Sequence, residues 1–487
     1  MNNGVILQAF QWYLPSDKSL WTFLSRSARD ISAAGFSAVW IPPPTKGQAG
    51  INDVGYGAYD LYDLGEFDQK GTISTKYGSK DELVECIKML QAANVDVYAD
   101  WVLNHRCGGD KIEDVTAVAA NKSDRNIISP ESFPAKAWTS FHFSPRAGKY
   151  STFIWNAQHF VATDTLVGVN NPDQVFLING KTFSGEVSFE QGNFDFLMGC
   201  DVDFYNAESK ADILHWANWF MKTTGIRGVR LDAVKHYPLS FSLELIKTIQ
   251  PEALEERPFV VAEYWHPEVS VLTAYIEATE GRASVFDVPL HFNLVSASLG
   301  GNTFDLRTIF DGSLVQVSPI LAVTFVDNHD TEPGQSLQSW VDLWFKPIAH
   351  ALILLRKDGY PCVYHADYYG AKNDSYSIEP MKPLIDKLLK ARHSLGHGEQ
   401  HDHFDHPNCI AWVRTGDADH QGKMVVIISN GDAGQKRIMS HLPNTEFVDV
   451  VGGTPTSIMT DEAGNAEFTC PAGSLAVWVD KTSARIF

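Results

Sequence analysis

Short apolar runs alternate with amphipathic stretches along most of this chain. The runs GVILQAF (4–10), SAVWIPP (37–43), VDVYADWV (95–102), GVRLDA (228–233), PFVVAEYW (258–265), SVFDVP (284–289), LAVTFVDNHD (321–330) and YPCVYH (360–365) read as strands. Between them the apolar period changes. Leu83, Ile87 and Leu90 share one helical face within 81–94, and Ile213, Leu214, Ala217, Phe220 and Met221 share another within 211–222. Further helices are predicted near 18–34, 239–249, 268–279, 340–356 and 380–394. Strand-then-helix units in this number predict an α/β fold, a parallel (β/α)8 TIM barrel.

The alternation breaks twice. Between about 104 and 206 the text turns polar and rich in Gly, Asn and Asp, with short aromatic strand candidates YSTFIW and QVFLING. After about 397 the runs CIAWVR, MVVIIS, EFVDVV and SLAVWV carry turn signals and no helical period. The expected organisation is therefore a barrel in two parts, 1–103 and 207–396. A β-rich insertion at 104–206 follows the third strand, and an antiparallel β domain occupies 397–487.

Composition narrows the partners. A formal charge of −20 over 487 residues argues against nucleic acid or an acidic membrane surface. No apolar run approaches the roughly 18 residues of a membrane span. The six cysteines are dispersed without CxxC spacing, which reads as reduced thiols rather than a disulfide framework. The opening MNNGVILQAFQWY shows neither a basic region nor a sustained apolar segment. A cytoplasmic, monomeric protein is expected.

In such a barrel the strand ends carry the chemistry, because the loops that follow them build the site. Polar residues gather at four of those ends: Asp100, Asn104 and His105; Arg230, Asp232, Lys235 and His236; Glu263 followed by Trp265; and Asp327 to Asp330. One Asp after a strand is ordinarily a helix cap, but four clusters at one end of a barrel exceed what capping needs. Asp232, Glu263 and Asp330 would then enter one cleft. Paired carboxylates, one ionised and one protonated, are what glycoside hydrolysis requires. Arg230, two residues before Asp232, is expected to lower that aspartate's pKa, and the apolar neighbours of Glu263 to raise its own.

These segments, DWVLNHR, GVRLDAVKH, AEYW and FVDNHD in this order, resemble the four motifs of the α-amylases of glycoside hydrolase family 13. QAFQWYLP, DVGYGAYDLYDLGEFDQKGT and FDVPLHFNL extend the resemblance, which is closest to the bacterial liquefying type and covers essentially the whole chain. It implies an inserted B domain after strand 3, a C-terminal β-sandwich, and retaining endo-hydrolysis of α-1,4-glucans. Asp232 then matches the nucleophile, Glu263 the general acid and base, and Asp330 the third carboxylate. Tyr56, His105, Arg230 and His329 match residues around the sugar whose bond breaks. Lys235, His236 and Trp265 match residues on the leaving-group side. Trp12 is read as core.

The resemblance also implies a structural Ca2+, held by Asn104, Asp195, Asp201 and the backbone carbonyl of His236. A second cation cluster of the liquefying type is incomplete. Asp164 and Asp203 match two of its carboxylates, but Ser184 and Tyr205 stand where two more are expected, so one calcium is predicted. Two rival readings share these motifs or this fold: a family member that forms defined maltooligosaccharides or transfers glucan, and a glucan-binding protein without catalysis. The intact carboxylates oppose the second.

Overall fold

The computed structural model describes residues 3–169, 171–372 and 376–487. Eight parallel strands close into a barrel: β1 (Ile6–Gln8), β2 (Ala38–Ile41), β3 (Asp96–Trp101), β4 (Gly228–Leu231), β5 (Phe259–Ala262), β6 (Ser284–Phe286), β7 (Ala322–Phe325) and β8 (Tyr360–Tyr364). Each pairs with its neighbours in sequence order, and β1 closes the ring against both β2 and β8. Strands enclosed on both faces have no solvated side and so read as continuous apolar runs. Val39, Val97, Val229, Val285, Val323 and Val363 are accordingly fully buried.

Helices α1 (Leu20–Ala34), α2 (Lys80–Ala92), α3 (Ala207–Thr224), α4 (Leu239–Ile249), α5 (Val269–Ala278), α6 (Val288–Gly300), α7 (Lys346–Leu354) and α8 (Lys382–Leu395) surround the barrel. Some of their starts are written in the sequence as capping side chains. Ser79 and Glu82 form a reciprocal capping box on α2, and the Asn206 side chain accepts from the Glu208 and Ser209 amides at the start of α3.

Two expectations are corrected. No helix is predicted after SVFDVP, yet α6 begins inside that run. Asp287 ends β6 by turning its carboxylate onto the Leu290 amide, and Leu290, Leu294 and Ala297 then face inward at helical spacing. YSTFIW is not a strand; apart from one bridge between Phe141 and Trp155 its backbone is irregular. Its aromatic rings find partners in each other instead, with Phe153 edge-on to Trp155 and both against His159.

The segment between β3 and α3 forms its own six-stranded sheet, built around the antiparallel pair Lys111–Asn121 and Ile128–Ser140. Its strands His105–Arg106 and Cys200–Val202 pair antiparallel immediately beyond β3. This pairing brings the two ends of the insertion back to the mouth of the barrel.

At the C-terminus a six-stranded sheet faces a two-stranded one, Gly434–Met439 with Asn465–Cys470. Ile438, Phe447, Phe468 and Trp478 fill the space between them. The other face, with Ile410, Trp412, Val426 and Val477, joins the core of the barrel, and the Trp412 indole donates to the Leu355 carbonyl.

Candidate active site

Asp232 directly follows β4, Glu263 directly follows β5, and the 327–330 segment follows β7. The parallel register sets Arg230 between Asp100 on β3 and Val261 on β5, so its guanidinium lies in the floor of the cleft. It is wholly buried and holds three carboxylates. Nη1 lies 2.8 Å from Asp100 Oδ1 and 2.5 Å from Asp232 Oδ1, and Nη2 lies 3.2 Å from Glu263 Oε2. The sequence alone left Asp100 without a role. It also accepts from the Tyr56 hydroxyl at 2.8 Å and the Trp40 indole at 3.2 Å, tying together the floor and one wall.

Ala233, the residue after Asp232, sits in the left-handed region at φ +51°. That turn aims its amide at Glu263 Oε2, 2.8 Å away, while Val234 N–H donates to the Glu263 carbonyl. A left-handed non-glycine costs of order 1 kcal/mol or more and persists only where its surroundings enforce it. Here the enforced object is the position of a carboxylate.

Charge is crowded. Burial drives the Asp232 carboxyl above its usual pKa, and the Arg230 guanidinium pulls it back only in part. The expectation that Arg230 would leave Asp232 lowered is thus corrected: loss of water outweighs one shared guanidinium. Glu263 is raised by burial and by Asp232, against the pull of Arg230. Asp330, whose principal neighbour is Glu263 rather than a cation, is pushed well above the ordinary range by burial and then by that carboxylate. Asp100 is raised by burial to about 7. Four acids around one guanidinium give up their protons as a set.

One wall of the cleft is aromatic. Tyr56 lies over His329 at 5.1 Å between ring centroids, and Trp12 is parallel to Tyr56 at 5.7 Å with 5° between planes. Trp12 is half-buried, not in the core, and its amide donates to Glu332 Oε1 at 3.1 Å. The QAFQWY stretch carried this signal, since Trp12 follows a short strand that ends at the mouth of the barrel. His329 is fully buried; Gln8 Nε2 donates to its Nδ1 at 3.0 Å, and its Nε2 lies 3.4 Å from Asp330 Oδ2.

The remaining predicted positions divide. Lys235 Nζ donates to the Trp265 carbonyl at 2.9 Å and pairs with Glu190 at 2.8 Å. The Trp265 ring packs among His291, Phe292 and Phe325 and is 9% exposed, so it offers its carbonyl more than a stacking face. His105 donates from Nε2 to the Tyr56 carbonyl at 2.7 Å, and its Nδ1 is buried without a partner. His236 donates from Nδ1 to the Phe194 carbonyl at 2.7 Å, and burial depresses its pKa to about 3.

Beside this site the donor set fits a hard cation. The Asn104 amide is wholly buried with neither its oxygen nor its nitrogen partnered, and Asp201 Oδ2 is likewise buried and unpartnered. Burial and then the neighbouring Asp195 push the Asp201 carboxyl well above its usual range, and burial, with Asp203 nearby, raises Asp195 to about 7. Two buried carboxylates and an orphaned amide oxygen, with no ion pair to either acid among the described residues, are poorly stable alone and suit a divalent ion with oxygen ligands. The neighbouring cluster differs. Lys181 Nζ lies 2.5 Å from Asp203 Oδ2, and Ser184 Oγ is 3.0 Å from the Tyr205 hydroxyl. An ammonium already supplies the positive charge there.

A family model described as the catalytic domain of α-amylase matches residues 30–428. The chain is 42% identical to an α-amylase of Geobacillus stearothermophilus over 484 residues, covering 98% of this chain and 87% of that one. It is also 42% identical over 495 residues to the cytoplasmic α-amylase of Escherichia coli K12, covering 98% and 99%. The solved structure of an α-amylase from Geobacillus thermoleovorans complexed with acarbose shares the fold at a TM-score of 0.66 and 17% identity, over 99% of this chain and 98% of that one. With carboxylates at the ends of β4, β5 and β7 around one buried arginine, and a catalytic-domain match across most of its length, the chain belongs to the α-amylases of glycoside hydrolase family 13.

Proposed function

We propose that this protein hydrolyses internal α-1,4-glucosidic bonds of starch, glycogen and maltooligosaccharides with retention of anomeric configuration. The observation that carries the reading is the Arg230 guanidinium, which holds Asp232 and Glu263 on one buried group. Two carboxylates pinned in this way act on a single glycosidic linkage. Retention calls for a separation of about 5–5.5 Å.

In the first step Asp232 attacks the anomeric carbon while Glu263 gives its proton to the departing glycosidic oxygen. Desolvation favours the protonated form of Glu263 that this step uses. In the second step Glu263, now ionised, takes a proton from water, which displaces Asp232. Asp330 faces the same sugar and holds its hydroxyl groups as the ring flattens. Tyr56 supplies the stacking surface, with Trp12 extending it. Lys235 and His236 border the leaving-group side.

A calcium ion held by Asn104, Asp195, Asp201 and the His236 carbonyl would neutralise the two acids and pin the insertion to the barrel. It does no proton transfer. One such ion is expected, because Lys181 serves Asp203. All six cysteines are free and buried, which supports a reducing compartment. No helix among the described residues is long and apolar enough to cross a membrane. A monomer acting on dissolved glucan is the simplest form consistent with a self-contained cleft.

Proton NMR of the first products from maltoheptaose tests the mechanism. The α-anomer should appear first and then mutarotate. Initial β-anomer would overturn retention and with it the role of Asp232.

A further inference from the structure

At the end of the barrel opposite the cleft, two histidines and an aspartate converge from separate segments. His397 follows α8, and Asp417 and His420 lie in the turn after strand Cys409–Arg414. One ligand atom from each lies within 4.8 Å of the other two. The two imidazole rings are cofacial, with centroids 3.6 Å apart and 4° between planes.

The backbone is built to bring them together. Gly398 and Gly416 form a parallel bridge, and a Cβ on Gly398 would fall 1.9 Å from the Gly416 carbonyl oxygen. Both have positive φ, +72° and +68°, so no other residue takes either place without strain. Gly416 N–H donates to the His397 carbonyl at 3.1 Å, and the Asp417 amide closes a tight turn onto the His420 carbonyl at 2.9 Å. Asp417 Oδ1 accepts from the Asp419 and His420 amides at 3.0 and 2.8 Å.

The outer nitrogen of His397 is occupied as it is in metal-binding histidines. His397 Nε2 lies 2.7 Å from the His393 carbonyl and 3.4 Å from Asn3 Nδ2, which leaves the Nδ1 lone pair available. His420 Nδ1 lies 3.2 Å from Asp417 Oδ1, a spacing that one ion bound to both atoms spans in place of the hydrogen they share. Chelation at about 2.0–2.1 Å requires the rings to splay from their stack. His420 and Asp417 are exposed, so that rotation displaces little.

We propose that His397, Asp417 and His420 bind a divalent transition metal of the zinc, cobalt or nickel class. Two imidazole nitrogens and one carboxylate oxygen favour such an ion over calcium, which seeks six or more oxygens. Three protein ligands at a half-open surface leave room for water in the fourth position and make the affinity weaker than that of a closed four-ligand site. The hollow beside the cluster is lined by Gly4, Gly359 and Tyr360, at the start of β1 and β8, and by Arg414 of the C-terminal sheet. A bound ion would therefore clamp the end of α8 to the C-terminal domain and stabilise the fold without touching catalysis.

The full-length protein, saturated with calcium, is titrated with cobalt(II) and zinc(II) beside the double variant His397→Gln/His420→Gln and the single variant Asp417→Asn. The wild type should bind one more equivalent than the double variant, with visible d–d bands for cobalt, and Asp417→Asn should bind at least tenfold more weakly. Zinc should raise the wild-type Tm and leave that of the double variant unmoved, with equal starch hydrolysis by all three proteins in chelex-treated buffer plus calcium. Equal zinc stoichiometry and affinity in wild type and double variant would place the binding on other histidines and overturn the proposal, as would absence of binding to the wild type. Asp417→Asn keeps both rings and the glycine bridge, so it decides the question even if the double variant folds poorly.

Discussion

The amide of Ala233 donates to Glu263 Oε2 at 2.8 Å from a backbone held at φ +51°. The residue after the proposed nucleophile thus positions the proposed acid, and does so through main chain rather than side chain. Ala233→Gly keeps the amide in place and relieves the left-handed cost, so kcat should change by no more than a few-fold. Ala233→Val forces a β-branched residue into that region and should lower kcat by roughly 100-fold with KM little changed. Steady-state kinetics on maltoheptaose separates the two.

Arg230 is shared by three carboxylates, so its loss strands all of them. Arg230→Lys cannot reproduce the two-nitrogen fork. Breaking a buried, hydrogen-bonded pair costs about 3–5 kcal/mol of folding stability, so Tm should fall together with kcat/KM. Because the guanidinium pulls the pKa of Asp232 down against burial, its removal should also move the acidic limb of the kcat/KM profile to higher pH. An unmoved limb would separate Arg230 from the ionisation of Asp232.

The parallel stack of Trp12 on Tyr56 gives a measurable share of sugar binding. Trp12→Ala removes one ring of that wall and frees its neighbour, and stacking of this kind contributes about 0.5–1.5 kcal/mol beyond area. KM for maltooligosaccharides should rise by roughly tenfold or less, with kcat near wild type. Trp12→Phe should recover most of the loss.

His291 is fully buried between the Val326 carbonyl, 2.7 Å from Nδ1, and Ser339 Oγ, 2.8 Å from Nε2, and burial lowers its pKa to about 4. A histidine held neutral in the fold but free to charge when unfolded stabilises above its unfolded pKa of about 6.5. That contribution is lost as pH falls from there towards 4, and is worth of the order of 3 kcal/mol. His105 and His365, each lowered to about 4 by burial, act in the same direction. Tm should drop steeply over this window, and less steeply in His291→Gln.

How much of this was readable in the chain depends on the kind of signal. The strands show in runs such as GVRLDA and PFVVAEYW because enclosure on both faces demands apolar residues at every position. Asp232, Glu263 and Asp330 were legible because a charge at the end of such a run has no packing reason to be there. The aromatic segment 150–155 misled, since rings that cluster with one another have the composition of a strand without its pairing. Helix α6 is hidden in the sequence because Pro289 and Asp287 have the composition of a turn, whereas in the fold the buried Asp287 caps the helix. Asp100 and Trp12 needed the barrel itself: their roles rest on a cross-strand register and a ring stack that no local pattern encodes.

Metal content follows from Lys181. With its ammonium beside Asp203, one tightly bound calcium per chain is expected by equilibrium dialysis. Replacing Asp195 or Asp201 by Asn should abolish it and lower Tm. Lys181→Ala leaves Asp203 without its cation and should increase affinity for a second calcium ion; two tightly bound calcium ions in the wild type would refute the one-calcium account.

The role of Asp232 can be read directly. Glu263→Gln, incubated with an α-maltosyl fluoride whose leaving group needs no acid, should form the glycosyl-enzyme but resolve it slowly. Tandem mass spectrometry of the digest should then find a maltosyl adduct on Asp232 within GVRLDAVK. An adduct on another carboxylate, or rapid turnover with no adduct and release of the inverted sugar, would contradict the account.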